Sequence, residues 1–247
     1  MDRMLYIAMA GAKQTMRSQA VNANNLANIN TTGFRADLEA IKTVNVYGDG
    51  YQSRAYSQSF HSGVKFTAGI TMTTGRSLDI ALSDKGYLAV QGPDGREAYT
   101  RAGNLRITAN GQLQTVNGFP VMGNSGPISI PPYQKLEIGR DGTITVQPLG
   151  QSAAALSVVD RIRVVKPDES KLTKNAQGLL VLPLGSIEPA PDPKVQVYSG
   201  RLESSNVNAV GALINMIDLA RQFEMNVKMM RTAEQNESAV TQLMRMS

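Results

Sequence analysis

The sequence predicts an α+β chain in which two long helices, one near each end, bracket a central antiparallel β domain. Three observations lead there. From Asn206 to Ser247 there is no proline and a single glycine, Gly211. Residues 1–30 likewise hold no proline and one glycine, Gly11. Between these stretches, Asn-Gly and Asp-Gly dipeptides punctuate short runs rich in Val, Ile, Leu and Thr, the pattern of consecutive hairpins.

In the C-terminal stretch Leu213, Ile217, Ala220, Phe223, Val227, Met230, Ala233, Val240 and Met244 recur at helical spacing, while Asp218, Arg221, Glu224, Lys228, Arg231 and Glu234 occupy other faces. Ser205 or Asn206 is the expected N-cap. A helix of ~40 residues is about 60 Å long, too long to be buried in one small domain, so it needs a partner. The N-terminal stretch carries a second stripe of Leu5, Met9, Ala12, Met16, Ala20, Ala23 and Ala27, small and adaptable residues that permit close packing. Asn22, Asn24, Asn25, Asn28 and Asn30 surround its end. Asn is a poor helix former whose amide wants partners, so these side chains are expected to bond across helix contacts that a lone subunit does not make. Gly33 is the expected left-handed C-cap.

Residues 35–75 alternate weakly and read as an extended connector, with His61, the only histidine, as an exposed loop or strand residue. The β domain is placed at 76–194. Its expected hairpins turn at Pro93-Asp94-Gly95, Asn110-Gly111 and Asp141-Gly142 and follow one another as a meander, with further strands at Ile162–Val165 and Leu179–Leu182. Residues 195–205 return into the C-terminal helix at 206–247.

Composition narrows the function. The chain has no cysteine, which excludes disulfides and thiolate chemistry. One histidine makes no multi-histidine metal site. No phosphate-binding loop, dinucleotide fingerprint or metalloprotease motif is present, and Asp84, Asp94 and Asp141 sit in turns where Asp bonds its own backbone. Catalytic residues, cofactors and metals are therefore expected to be absent. The net charge of +5 is spread along the chain without a basic run, which argues against nucleic acid as partner. No apolar run is long enough to insert in a membrane, and residues 1–10 lack the shape of a cleaved secretory signal.

Three blocks carry a family resemblance. Asn24-Asn25-Leu26-Ala27-Asn28 through Gly33-Phe34-Arg35 resembles the N-terminal signature of the axial proteins of the bacterial flagellum: the rod, hook and hook-associated subunits. Tyr99-Thr100-Arg101-Ala102-Gly103 is similar to their central block, and Leu202-Glu203-Ser204-Ser205-Asn206-Val207-Asn208 to the block before their C-terminal helix. Details such as Phe34-Arg35-Ala36 and Arg221-Gln222-Phe223-Glu224 resemble the proximal rod members, with the distal rod members as the rival. The resemblance implies a non-enzymatic subunit whose terminal helices form a coiled-coil inner layer (D0), with the β domain as an outer layer (D1). It implies helical assembly with other copies and with sibling proximal-rod, distal-rod and hook-basal-body proteins, and export through the flagellar type III apparatus into a periplasm-spanning shaft. Assembly residues expected on these grounds are Leu5, Met9, Met16, Asn24, Asn25, Leu26, Asn28, Gly33, Phe34, Asn206, Asn208, Leu213, Ile217, Phe223, Val227, Met230 and Met244. The terminal helices are expected to be poorly ordered until they assemble. A different class remains open at this point: a periplasmic binding or adaptor module whose helix pair closes within one chain.

Overall fold

The computed structural model describes residues 3–45, 55–83, 85–150 and 156–245; Asp84 lies outside them. It is α+β, with one helix towards each end and several antiparallel sheets between. The chain divides into two compact units that alternate along the sequence.

One unit contains helix α1 (Arg3–Ala27), a ribbon of β1 (Asp37–Asn45) and β2 (Ala55–Val64), and helix α2 (Ala209–Arg245). The segment expected as connector therefore holds a two-stranded ribbon. His61 lies on β2, and its side chain is outside the described residues. At 37 residues α2 is about 56 Å long. It starts later than expected. Asn208 is its N-cap, the side-chain Oδ1 accepting the Gly211 N–H at 3.1 Å while the carbonyl accepts from Ala212 at 2.9 Å. Asn206, expected in that role, is engaged elsewhere. α1 ends at its asparagines: the Asn28 N–H is shared between the Asn24 and Asn25 carbonyls, and the Asn28 amide folds back onto Asn24 O at 2.9 Å. Gly33 has the positive φ expected of it, +67°, but six residues past the helix, where it caps nothing.

The helices run antiparallel, Gly11 lying beside Asn226 and Asn22 beside Ala212. Their seam is made of small residues: Ala8, Ala12 and Thr15 on α1, Ala212 and Ala233 on α2 are buried. The contact is close, because a Cβ on Gly11 would meet Asn226 Oδ1 at 3.0 Å.

The other unit spans residues 29–36 and 64–206. Its strands are β3 (Thr71–Thr73), β4 (Ile80–Leu82), β5 (Tyr87–Gln91), β6 (Glu97–Thr100), β7 (Leu105–Ile107), β8 (Leu113–Thr115), β9 (Tyr133–Ile138) and β10 (Thr143–Pro148). They continue with β11 (Ser157–Arg161), β12 (Val164–Val165), β13 (Thr173–Lys174), β14 (Leu180–Val181), β15 (Val197–Ser199) and β16 (Arg201–Glu203). A five-stranded sheet has the order β12-β5-β6-β14-β13, and β11-β10-β9 form a three-stranded one. The order departs from the expected meander, because β12 and β14 come back from far along the chain to flank the β5–β6 hairpin. The final strands close the unit, β15 on β4 and β16 on β3. β5 is buried on both faces: Leu88 and Val90 enter a core with Leu105, Leu113, Val121 and Ile144, while Tyr87 and Ala89 enter a second with Tyr99, Val165 and Leu180. That explains its unbroken Tyr-Leu-Ala-Val run.

The turns share one geometry. In the loops 93–95, 109–111, 116–118, 140–142 and 176–178, the residue before the loop donates its N–H to the carbonyl of the residue after it, and the loop glycine donates back to the residue before. These are three-residue loops ending in a left-handed glycine, not the two-residue turns expected from Asn-Gly and Asp-Gly, so only the glycine needs a positive φ. Asp94 and Asp141 do what turn aspartates do, accepting the N–H two residues on, from Arg96 and Thr143.

Two of these glycines give a graded test. At Gly95 a Cβ would point into open space and φ is +78°, so Gly95→Ala should cost only backbone strain, about 1 kcal/mol. At Gly111 a Cβ would also lie 2.6 Å from Ile130 O, so Gly111→Ala should cost distinctly more, as read from urea-unfolding midpoints.

Candidate assembly site

Two arrangements stand out, one in each unit. In the β unit a buried carboxylate, Glu203, gathers the three blocks singled out in the sequence. It ends β16, whose register on β3 fixes its position, Glu203 facing Thr71. Its Oε2 accepts from Arg101 Nε at 2.7 Å and lies 2.6 Å from Arg101 Nη2. Its Oε1 accepts the Gly69 N–H at 2.9 Å and sits 2.7 Å from Arg35 Nη1, an ion pair off the line of a hydrogen bond. All three charged side chains are at most 4% exposed. Arg101 also donates to the carbonyls of Gly86 and Leu82, and its guanidinium lies over the Tyr87 ring.

Backbone contacts stitch the same place. The Gly33 N–H donates to Glu203 O at 2.8 Å, and a Cβ on Gly33 would fall 2.2 Å from the carbonyl carbon of Arg101. Only glycine lets these segments touch. Asn206 takes the Ala36 N–H on its Oδ1 at 2.8 Å and donates its amide to Lys65 O and Thr67 O at 2.7 and 2.9 Å. Phe34 is half-buried beneath Lys174, whose ammonium is 3.9 Å from the ring centroid.

Burial also tunes titrating groups here. It pushes the Tyr87 phenol from 10.0 up to about 12, with the Glu169 carboxylate adding to the effect and the two arginines opposing it. Burial likewise raises Tyr99 and Glu97.

In the helical unit, the asparagines are used within the chain. Asn25 brackets the backbone of Asp37, donating to its carbonyl at 2.9 Å and accepting its N–H at 2.8 Å. Asn22 donates to Ala212 O at 2.8 Å across the helix pair. Asn24 is exposed, and Leu26 is half-buried. The stripes sit differently from their reading in sequence. Phe223, Val227 and Met230 are half-buried, but Leu5, Met9 and Met16 on α1 and Leu213, Ile217 and Met244 on α2 face outward, Met9 and Ile217 being 53% and 55% exposed. The seam is taken instead by Ala8, Ala12, Thr15 and Ala212. Tyr6, Ile7, Val210, Ile214 and Met225 extend the outward apolar faces.

Arg35, Arg101 and Glu203 were not among the residues expected to matter, although each lies inside one of the three blocks. A charged residue within an otherwise uncharged block is the signal that was available; which charge meets which is not written in sequence. Among the described residues no group of three acidic, His or Cys side chains is placed to hold a metal, and no helix is long and apolar enough to cross a membrane.

The three segments that meet at Glu203 also match known families. Residues 5–35 match the flagella basal body rod protein family, 81–146 the flagellar hook protein FlgE/F/G D1 domain, and 198–243 the flagellar basal body rod FlgEFG protein C-terminal family. These segments contain Arg35, Arg101 and Glu203 in turn. The chain is 41% identical to the flagellar basal-body rod protein FlgF of Escherichia coli (strain K12) and 40% to that of Salmonella typhimurium (strain LT2), covering all of both chains in each case. It is 31% identical to the rod protein FlgG of Buchnera aphidicola subsp. Schizaphis graminum, over 97% of this chain and 98% of the relative. The chain belongs to the flagellar basal-body rod proteins, a structural and not an enzymatic family. Within that family it is FlgF-like, of the proximal rod type.

Glu203→Gln should leave two buried guanidiniums without a counter-charge and cost about 3–5 kcal/mol. Arg35→Gln should cost less, because Arg101 still neutralises Glu203; urea unfolding of the two variants orders them. For Tyr87, a raised pKa means that the fold favours the neutral phenol. That contribution is complete below pH 10 and is lost as pH rises through about 12. Alkaline titration of tyrosine absorbance should show this late component disappear in Tyr87→Phe.

Proposed function

We propose that this chain is a structural subunit of the flagellar basal-body rod, self-assembling helically with other axial proteins into the drive shaft. The observation that carries the reading is the outward apolar faces of α1 and α2. Each helix already has a partner in the other along a seam of alanines, yet Leu5, Met9, Met16, Leu213, Ile217 and Met244 remain in water. Burying such side chains is worth roughly 25 cal/mol per Å², which gives neighbouring subunits a reason to pack there. Contacts between unlike surfaces of identical subunits do not close on themselves and so build filaments.

In this reading residues 1–34 and 206–247 form the inner coiled-coil layer D0. Residues 35–75 and 195–205 adjoin it, and 76–194 form the outer layer D1. The partners are other copies and sibling proximal-rod, distal-rod and hook-basal-body proteins, and the route to a periplasm-spanning site is the flagellar type III export apparatus without a cleaved signal. The 41% and 40% identity to the FlgF proteins of Escherichia coli and Salmonella typhimurium, against 31% to the FlgG of Buchnera aphidicola subsp. Schizaphis graminum, supports the proximal over the distal position. A self-contained periplasmic adaptor would also use an intramolecular helix pair, but it gives no role to a second apolar face on each helix.

The paired substitution Leu213→Asp with Ile217→Asp tests the reading on exposed positions that the seam does not use. The expected result is a variant that keeps its near-ultraviolet tyrosine signal but fails to join basal bodies or restore swimming, whereas Asp218→Asn is incorporated normally. Circular dichroism should gain helix signal as the unsubstituted chain polymerises and show no gain for the double variant. Normal incorporation of the double variant would sink the proposal.

A further inference from the structure

Oxidisable side chains are unevenly placed in this chain. It has no cysteine and no tryptophan, so methionine, present 12 times, is the side chain on which a mild peroxide acts. Met72 and Met122 fall in the β unit, and the other ten fall in segments of the helical unit. We propose that the outward methionines of the helix pair, Met9 and Met16 on α1 and Met225 and Met229 on α2, are oxidation sites through which hydrogen peroxide withholds the free subunit from assembly. The inference rests on the assembly reading above and adds a chemical control to the same faces.

Position is the first support. Met9 and Met16 lie seven residues apart on α1, and Met225 and Met229 four apart on α2, spacings that keep each pair on one helix face. The four are 53%, 57%, 57% and 45% exposed in turn. Met216 and Met230 on α2 are half-buried, and Met122 packs against the second core of the β unit. Because Gly11 lies beside Asn226, Met9 and Met225 sit at one level of the helix pair.

The chemistry is an oxygen transfer. The thioether sulfur attacks the O–O bond of hydrogen peroxide; one oxygen becomes the S=O of methionine sulfoxide and the other leaves as water. Sulfur loses two electrons and the peroxide gains them. The step needs access to sulfur and nothing else from the protein. A thioether packs against a neighbouring apolar surface, whereas a sulfoxide oxygen buried there needs a hydrogen-bond donor. Leu5, Ile7, Leu213, Ile214 and Ile217, which are also outward, carry no side-chain donor for it.

The fold does not depend on these four sulfurs. The seam between the helices is closed by Ala8, Ala12, Ala212 and Ala233, which are buried. Oxidation therefore changes what the subunit offers to neighbours and leaves intact what holds it together. It is also reversible: a sulfoxide reductase supplied with dithiothreitol returns the thioether, the oxygen leaving as water and the dithiol becoming a disulfide.

The test treats the full chain with hydrogen peroxide before it is offered to basal bodies. Peptide mapping by mass spectrometry should find Met9, Met16, Met225 and Met229 oxidised before Met122, Met216 and Met230. The near-ultraviolet tyrosine signal should be unchanged, while the incorporated fraction falls roughly tenfold. Reductase with dithiothreitol should restore incorporation. The fourfold variant Met9→Leu, Met16→Leu, Met225→Leu and Met229→Leu keeps the apolar faces and the remaining methionines, and it should incorporate equally with and without peroxide. Equal incorporation of the oxidised and untreated parent overturns the proposal. So does a peroxide-dependent loss that persists in the fourfold variant, or one that accompanies loss of the tyrosine signal. An untreated parent that fails to incorporate overturns the assembly reading itself, and this inference with it.

Discussion

The β unit depends on one carboxylate. Glu203 is charged, buried and shared between two guanidiniums that come from widely separated parts of the chain, Arg101 being 102 residues away. Such a group is costly to bury and worse to bury alone, so its value lies in what it makes mutually dependent. With the bonds of Gly33, Gly69 and Asn206 around it, the entry from the N-terminal helix, the central hairpins and the exit to the C-terminal helix meet at one point. A polar knot has directional bonds that resist shear, which a purely apolar contact, being non-directional, does less well.

The helical unit works by the opposite logic. Its seam of Ala8, Ala12, Ala212 and Ala233 brings two backbones close without using the large side chains. Those large side chains are left for other surfaces. Alanine inside and Met, Leu and Ile outside is the reverse of what a self-sufficient helix pair displays.

Much of this was legible in the sequence, and what was missed has physical causes. Both helices were readable because period and the absence of proline are local properties, and the hairpins because Asn-Gly and Asp-Gly carry their own turn chemistry. The rotation of the stripes was not readable. On α1, Ala12 belongs to the stripe of Leu5 and Met9 as much as to the seam of Ala8 and Thr15, so spacing alone does not choose the inner face. Asn206 and Gly33 were given cap roles on local grounds, and both are claimed instead by distant partners, Ala36 and Glu203. The ribbon at 37–64 was obscured by weak alternation, in keeping with a strand β1 whose residues past Glu39 are all exposed. The ion cluster was invisible because no rule of spacing relates Arg35, Arg101 and Glu203.

The shared loop geometry has a kinetic consequence. Hairpins closed by three-residue loops form on a timescale of about 1–10 μs, since their strands are neighbours in sequence. The closing strands β15 and β16 are different, because they pair with β4 and β3 across more than a hundred residues. Until they arrive, Arg35 and Arg101 have no Glu203 to meet. The β unit thus assembles at two speeds, with its hairpins early and its closure late. During synthesis, which starts at the N-terminus, that last step is held in reserve until nearly all of the chain has emerged.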